Sequence, residues 1–416
     1  IHSFPTRRSS DLGVNDRITA LIRNWLNVRE SSVNKMILIE DHNDIQVTLF
    51  KNELWYRGDI SELQQFYNNY EDGAGNTSFW KGKSTNGINF RKIHTGMPGL
   101  IIDKLVDIVV DDMNDITIYS GKDQKGNPTK NVEAMERWET IAKEHDFKDK
   151  VLKDAVKWAL LGEAVFKLSY DNDVSNYPLI EVVSGKDVEY EYKRGRNIAT
   201  KFYFPKMIDK KPYVLEEAYE KGGVRYKLYD DGGKEATTSM IEQLYDLYPF
   251  VYDEPFIMAV PFILNPNSRY PGRGRGLLES KEGAFDSLDE AWSQWMDALR
   301  DGRTKTYVPE DLIPRDNKTG KLYQPNTFDS RFIAIGSDKR ETADNKIQVE
   351  SPDIRADQYL STYITALDLC LQGVISPSTL GIDNKKLDNA EAQREKEKTD
   401  RKSVVLGNSV YIGGGR

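Results

Sequence analysis

A stripe of large apolar residues between positions 276 and 303 constrains the fold of this chain more than any other feature. Within GLLESKEGAFDSLDEAWSQWMDALRDG, apolar side chains recur at steps of three and four: Phe285, Leu288, Trp292, Trp295 and Leu299. This spacing predicts an amphipathic helix that packs one face against another element. Seven acids and only two bases occupy the other positions between Leu277 and Asp301, so we expect the opposite face to be acidic.

A second helix is predicted at 351–372. Ser351 is a suitable N-cap, and Pro352 can occupy the first helical position, where its missing N–H costs nothing. The helix is expected to stop at Gly373. Its apolar stripe comprises Leu360, Ile364 and Leu367. The insert between the two helices, 304–350, contains short β-like runs and is too small to fold alone. We therefore expect it to pair with copies of itself.

The preceding part of the chain changes from helical to β periodicity. Asp59 is predicted to cap a helix with Glu62 three residues on. Another helix is expected to open at Pro98, and a further one at residues 14–27. From Glu163 to Leu264, short alternating runs broken by turn residues predict an antiparallel sheet with one solvated face. The sequence thus predicts an α+β fold.

The segment at 266–276, PNSRYPGRGRG, links these strands to the first long helix. Its glycines and prolines are typical of a flexible joint. Arg269, Arg273 and Arg275 can contact phosphate or a neighbouring acid, and we favour a structural role for them.

Several classes of chemistry are disfavoured by the sequence. Cys370 is the single cysteine, so intrachain disulfides are impossible, and its place on the apolar side of a helix indicates a core residue. The Gly82-Lys83-Ser84 run lacks the first glycine of a phosphate-binding loop, where Thr77 stands. No metal-ligand spacing, nucleophile motif or cofactor motif occurs, so we expect no catalysis and no cofactor. No apolar run is long enough to span a membrane.

Four segments, taken together with their order and spacing in the chain, resemble a known protein family. They are LWYRGDISELQQFYNNY, FRKIHTGMPGLIIDKLVDIVVDD, RGLLESKEGAFDSLDEAWSQWMDALRDGRTKTYVPEDLIP and ISPSTLGIDNKKLDNAEAQREKEKT. With them, nearly the whole chain resembles the portal (head-to-tail connector) proteins of tailed bacteriophages, especially those of phages of Gram-positive bacteria.

The resemblance implies an architecture: an α+β wing at 13–275, stem helices at 276–303 and 351–372, a clip at 304–350, a tunnel loop at 373–388 and, at 389–399, the start of a long helix toward the crown. It also implies a dodecameric ring at one capsid vertex, through which double-stranded DNA passes without sequence specificity. The implied partners are a terminase, scaffold and major capsid proteins, and head-completion or adaptor proteins. The implied location is the virion, after assembly in the bacterial cytoplasm.

The net charge of the chain suits a channel that lets DNA pass without binding it tightly. The net charge of −8 is opposite to that of a tight DNA binder. An acidic stem helix in every subunit would repel phosphate along the wall. Lys385 and Lys386 in the implied tunnel loop are then the candidates for transient DNA contact, and an ordinary solvated loop is the alternative. The competing functions are another ring-forming phage structural protein, such as an adaptor or tail component, and an enzyme acting on acidic or sugar substrates.

Both ends of the sequence look foreign to the fold. HSFPTRRSSDL, from His2 to Leu12, matches the translation of a common sequencing adapter, and Asp400 to Val405 fits the reverse complement of that adapter. We therefore expect residues 1–12 and 400–416 to lie outside the native gene product. On this interpretation the native protein extends beyond both ends, and the crown is missing here.

Overall fold

The fold is α+β, with helices and antiparallel sheets in one chain. A computed structural model describes residues 45–69, 78–82, 90–113, 115–122, 125–171, 173–208, 211–236, 249–253, 256–309, 332–335, 348–350 and 354–382. The predicted helices at 14–27 and 389–399 lie outside these residues, as do both presumed foreign ends.

Seven α-helices lie in the described residues, and local sequence signals explain several of their starts. The predicted cap at Asp59 is confirmed, because its Oδ1 accepts hydrogen bonds from the backbone N–H groups of Ser61 at 2.8 Å and Glu62 at 3.0 Å. A π-helical segment, Phe147–Leu152, leads directly into the fifth helix. The helices are α1 Ile45–Arg57, α2 Ile60–Asn69, α3 Met97–Asp112, α4 Val132–Glu144, α5 Lys153–Leu161, α6 Glu282–Asp301 and α7 Ala356–Leu371.

The predicted antiparallel strands between 163 and 264 are confirmed and form two sheets. Their strands are β3 Ala164–Ser169, β4 Leu179–Ser184, β5 Val188–Lys193, β6 Arg196–Ile208, β7 Lys211–Glu220, β8 Gly223–Asp230, β9 Glu235–Ala236, β10 Phe250–Val251 and β11 Ala259–Phe262. One sheet has the order β10-β8-β7-β6-β5, with β9 also paired to β8, and the other has the order β11-β3-β4.

The described residues contain two smaller sheets as well. A hairpin of β1 Tyr119–Lys122 and β2 Pro128–Lys130 precedes α4. A three-stranded sheet lies in the chain between α6 and α7, where β12 Lys305–Pro309 is central, parallel to β13 Phe332–Ile335 and antiparallel to β14 Gln348–Glu350. The short β runs predicted in this insert are therefore confirmed for these three strands.

The main core joins the body of the protein to the two long helices. Helices α1, α2, α3 and α5 pack around fully buried aromatic residues, including Trp55, whose Nε1 donates a hydrogen bond to the Tyr67 hydroxyl at 2.8 Å. The N-terminal half of α6 and the C-terminal half of α7 enter the same core through Phe285, Leu288 and Leu367. The core therefore fixes one end of the α6–α7 pair.

Both long helices begin later than the sequence predicts. Residues 276–281 are not helical, and within them the Glu279 carboxylate accepts a hydrogen bond from the Gly276 N–H at 2.7 Å. Helix α7 begins at Ala356, so the predicted N-cap at Ser351 is wrong. The Arg355 side chain makes no cap hydrogen bond in its place.

Ionisation of Asp187 links pH to stability in this body. Asp187 ends the 3₁₀ turn Gly185–Asp187, beside the Lys186–Glu53 ion pair of 2.6 Å. Burial raises the pKa of Asp187 from 3.8 to about 6; Lys186 opposes that rise and Glu53 adds to it. A raised carboxyl pKa contributes stability that is present below the unfolded-state pKa and lost as pH rises through about 6.

We therefore expect Asp187→Asn to stabilise the protein at pH 7.5, by about 1–3 kcal/mol in the free energy of unfolding, because the buried charge is removed. At pH 5 the difference should shrink, since the wild-type carboxyl is then mostly protonated. Urea denaturation at both pH values measures this. Asp115→Asn, at an exposed site, is the control and should change the free energy of unfolding by no more than about 0.5 kcal/mol at either pH. A wild type more stable than Asp187→Asn at pH 7.5 would contradict the expectation.

Candidate functional site: the α6–α7 helix pair

Helices α6 and α7 form an antiparallel pair. At one end, Lys281 Nζ donates a hydrogen bond to the Leu369 carbonyl at 2.9 Å. At the other end, Gly302 lies so close to Ile354 that an added Cβ would clash with the isoleucine side chain. The start of each helix therefore meets the end of the other. The three-stranded sheet of β12, β13 and β14 is inserted at the end of the pair that lies away from the main core.

The apolar stripe of α6 passes from buried to half-buried along the helix. Phe285 and Leu288 are buried, whereas Trp292 and Trp295 are half-buried. The two indole rings pack edge to face with centroids 5.6 Å apart, and Tyr363 of α7 lies 5.3 Å from Trp292. These three rings form the contact between the helices beyond the main core.

Three of the residues predicted to pack in the stem are exposed within a single chain. Leu299 is 41% exposed on α6, and Leu360 and Ile364 are 45% and 47% exposed on α7. Leu367, the next member of the α7 stripe, is buried. The predicted stripe is therefore continuous in sequence, but the fold covers only the part of it that lies next to the body.

The acids of α6 do not form the predicted acidic face. Asp289 is fully buried and accepts hydrogen bonds from the Thr95 N–H and hydroxyl, both at 2.8 Å, and from His94 Nδ1 at 2.7 Å. Asp286 accepts from the Ser78 hydroxyl and the Phe79 N–H, both at 2.8 Å. These acids attach the segments 78–82 and 90–96 to α6.

The other acids of α6 are mostly engaged as well. Glu282 pairs with Lys51 of α1 at 2.9 Å, and burial raises its pKa despite that cation. Asp297 pairs with Arg300. Of the seven acids counted between Leu277 and Asp301, only Glu290 and Asp301 are exposed. The predicted acidic face is therefore interrupted, because one of the seven acids is buried and four are half-buried. Repulsion of DNA by this helix in a ring stays a prediction.

The segment at 266–276 is fixed to the strands and is not the flexible joint predicted. Glu163, which is 1% exposed, receives hydrogen bonds from Arg273 Nε at 2.7 Å and from the Gly274 N–H at 2.6 Å. Arg273 also donates to the Gly185 carbonyl at 2.7 Å, and its guanidinium lies 5.1 Å from the centroid of the Tyr190 ring. The predicted structural role of Arg273 is confirmed, and the contact sets the direction in which the chain enters α6.

The segment after α7 is anchored at its beginning. Gly373 leaves the helix with a φ of +73°, a conformation that favours glycine. The next residues, Val374 and Ile375, are buried in the main core. A turn follows, in which the Ile382 N–H donates to the Pro377 carbonyl at 3.0 Å. Lys385 and Lys386 lie outside the described residues, so their DNA contact stays a prediction.

The single cysteine is a core residue, as predicted. Cys370 is fully buried beside α6, and burial raises the pKa of its thiol to about 12, with the charge of Asp289 adding to the rise. A thiol held in its neutral form is a poor nucleophile. Within the described parts of the chain, no cluster of three or more His, Cys, Asp or Glu residues could hold a metal ion. No helix in those parts is sufficiently long and apolar to cross a membrane.

Comparisons with known proteins leave the fold and the site as the basis for any functional conclusion. No protein-family model matches this sequence, and a search of curated proteins finds no match either.

Proposed function

We propose that this chain is the subunit of a bacteriophage portal, a ring at one capsid vertex through which double-stranded DNA is packaged and ejected. The observation that carries the proposal is the antiparallel α6–α7 pair, which is joined to an α+β body at one end and has a small three-stranded sheet at the other. In the implied architecture these parts correspond to wing, stem and clip. A terminase would dock on the clip, and capsid and head-completion proteins would contact the ring.

The exposed apolar surface of the helix pair supports an assembled state. Leu299, Leu360 and Ile364 are each more than two-fifths exposed on the part of the pair beyond the main core. Contiguous exposed apolar surface marks sites of interaction with other molecules. Leu360 and Ile364 lie one turn apart on α7, and Leu299 lies on α6. The same surface also favours a second structural role, as a subunit of another ring-forming phage component such as an adaptor. That component would not form the DNA channel at the capsid vertex.

The proposed relation to DNA rests on overall charge and not on an acidic helix wall. Most α6 acids are used inside the chain, but the net charge of −8 still opposes a fixed, tight complex with phosphate. We propose no catalytic activity and no cofactor for this role. Transient contact through Lys385 and Lys386 remains part of the proposal.

Native mass spectrometry of the full chain tests assembly. A portal subunit should give one closed oligomer of fixed stoichiometry, near a dodecamer, because every subunit presents the same exposed helix surface. A chain that stays monomeric or dimeric at micromolar concentration would contradict the proposal.

A further inference from the structure

Helix α7 presents an uncovered flank that combines apolar and acidic groups. Leu360 and Ile364 lie one turn apart on the same side of the helix and are exposed. The charged residues of α7 are Asp357 and Asp368, both exposed acids, and the helix contains no base. The other exposed side chains of the helix are neutral, namely Ala356, Gln358, Ser361, Thr362, Thr365 and Leu369, and the exposed Arg355 directly precedes it. Apolar groups surrounded by polar and acidic groups are typical of an interface core with a polar rim.

The far half of α6 borders a cleft of the opposite character. The cleft has a volume of about 600 Å³ and lies between α6 and the segment 90–93. Among the described residues that line the cleft, the single acid is Asp297, which pairs with Arg300 and therefore offsets part of the charge of that arginine. The floor of the cleft is apolar and is formed by Trp292, Met296 and Leu299. Its rim is rich in arginine and is formed by Arg91, Arg300 and Arg303.

The chemistry of the cleft selects an amphipathic, acidic helix. An aromatic and aliphatic floor accepts branched aliphatic side chains, and guanidinium groups at a rim prefer carboxylates. A helix with two aliphatic anchors at i and i+4 and a carboxylate near them meets both requirements in the helix-in-groove manner. The α7 flank, with Leu360, Ile364 and Asp357, has this arrangement.

We propose that the α7 flank of one copy docks in the α6 cleft of a second copy of this chain. This inference rests on the proposed ring assembly and specifies which two surfaces form the contact. The two surfaces share no residue, so each copy can use both at once. Such a contact is head-to-tail, and it closes into a ring when the rotation between subunits allows.

Charge also selects between this contact and a symmetric one. A two-fold pairing of α7 with α7 would bring Asp357 and Asp368 toward the same acids of the other copy. The bases beside the helix are Arg355, which precedes it, and Lys281, whose Nζ already donates to the Leu369 carbonyl. Juxtaposed like charges disfavour such a pairing. The arginine rim of the cleft offers the same acids an opposite charge.

Disulfide cross-linking of the full chain tests the contact directly. Leu299→Cys and Leu360→Cys variants are mixed, allowed to assemble and mildly oxidised; native Cys370 is fully buried and stays inert. The expected product is a 299-to-360 cross-link between two chains, and a ladder of oligomers when one chain carries both substitutions. Thr362→Cys is the matched control, because Thr362 is also exposed but lies on the other side of α7 from Leu360. It should not cross-link to residue 299.

A charge exchange provides a second readout that needs no cysteine. Asp357→Arg and Arg91→Asp, both at exposed positions, should each weaken association by about tenfold, and the double variant should recover most of that loss. Circular dichroism of each variant checks that the chain remains folded. Additive weakening in the double variant would overturn the pairing of these surfaces.

The outcomes separate this contact from the portal function. Closed rings with the 299-to-360 cross-link support both. Rings without that cross-link, or with a 360-to-360 cross-link, overturn the docking and leave the portal function standing. Cross-linked filaments or small oligomers support the docking and contradict the portal function. Folded chains that neither assemble nor cross-link overturn the docking and the ring together.

Discussion

Glu163→Ala is expected to destabilise the protein by about 3–5 kcal/mol, because it breaks a buried ion pair and leaves one partner uncompensated. The Arg273 guanidinium would remain mostly buried without its carboxylate, and the Gly274 N–H would lose its acceptor. The loss should appear in the free energy of unfolding measured with urea. Since this pair fixes the chain where it enters α6, we also expect weaker assembly of the variant.

The control for this prediction is an exposed ion pair. Glu133 and Arg137 approach to 2.7 Å on the surface of α4, with each side chain about three-quarters exposed. Glu133→Ala should change the free energy of unfolding by no more than about 0.5 kcal/mol, as exposed helix pairs do. Equal effects at Glu163 and Glu133 would show that burial of the first pair does not stabilise the fold.

Asp289→Ala is expected to cost about 3 kcal/mol, because three donors would lose their acceptor inside the protein. The donors are the Thr95 N–H, the Thr95 hydroxyl and His94 Nδ1. Glu290→Ala is the matched control, since Glu290 is the next residue of α6 and is exposed. Thermal or urea denaturation of the two variants measures the difference.

Glu290→Ala should leave stability within about 0.5 kcal/mol, the range of ordinary surface changes. The pair of variants therefore separates an acid that holds loops of its own chain from an acid that faces outward. An Asp289→Ala variant as stable as Glu290→Ala would contradict the internal role of Asp289.

Local signals in the sequence predicted much of the fold. The cap at Asp59 and the change to period two after Glu163 depend on neighbouring residues, and the structure contains both features. The starts of α6 and α7 did not follow from such signals. Before α6, the Leu277 N–H donates to the Leu160 carbonyl at 2.8 Å, and before α7, Ile354 lies against Gly302; both partners are distant in the sequence. The helix predicted to begin after Ser351 begins at Ala356.

The candidate site was predictable in position but not in chemistry. Periodicity located the stripe from Phe285 to Leu299, yet it does not reveal which polar positions a distant loop will cover. Asp289 and Thr95 are 194 residues apart in the chain, so their contact leaves no local signal. The same holds for Arg273, whose glycine-rich surroundings suggested flexibility, while its partner Glu163 lies 110 residues away.

Cryo-electron microscopy of the assembled full chain tests most directly whether the α6–α7 pair forms the wall of a DNA channel. We expect a closed ring whose lumen admits duplex DNA, with α6 and α7 of every subunit around that lumen and the β12–β14 sheet at one rim. The absence of rings would contradict it. A ring with the helix pair on its outer surface, or with a lumen too narrow for duplex DNA, would contradict it as well.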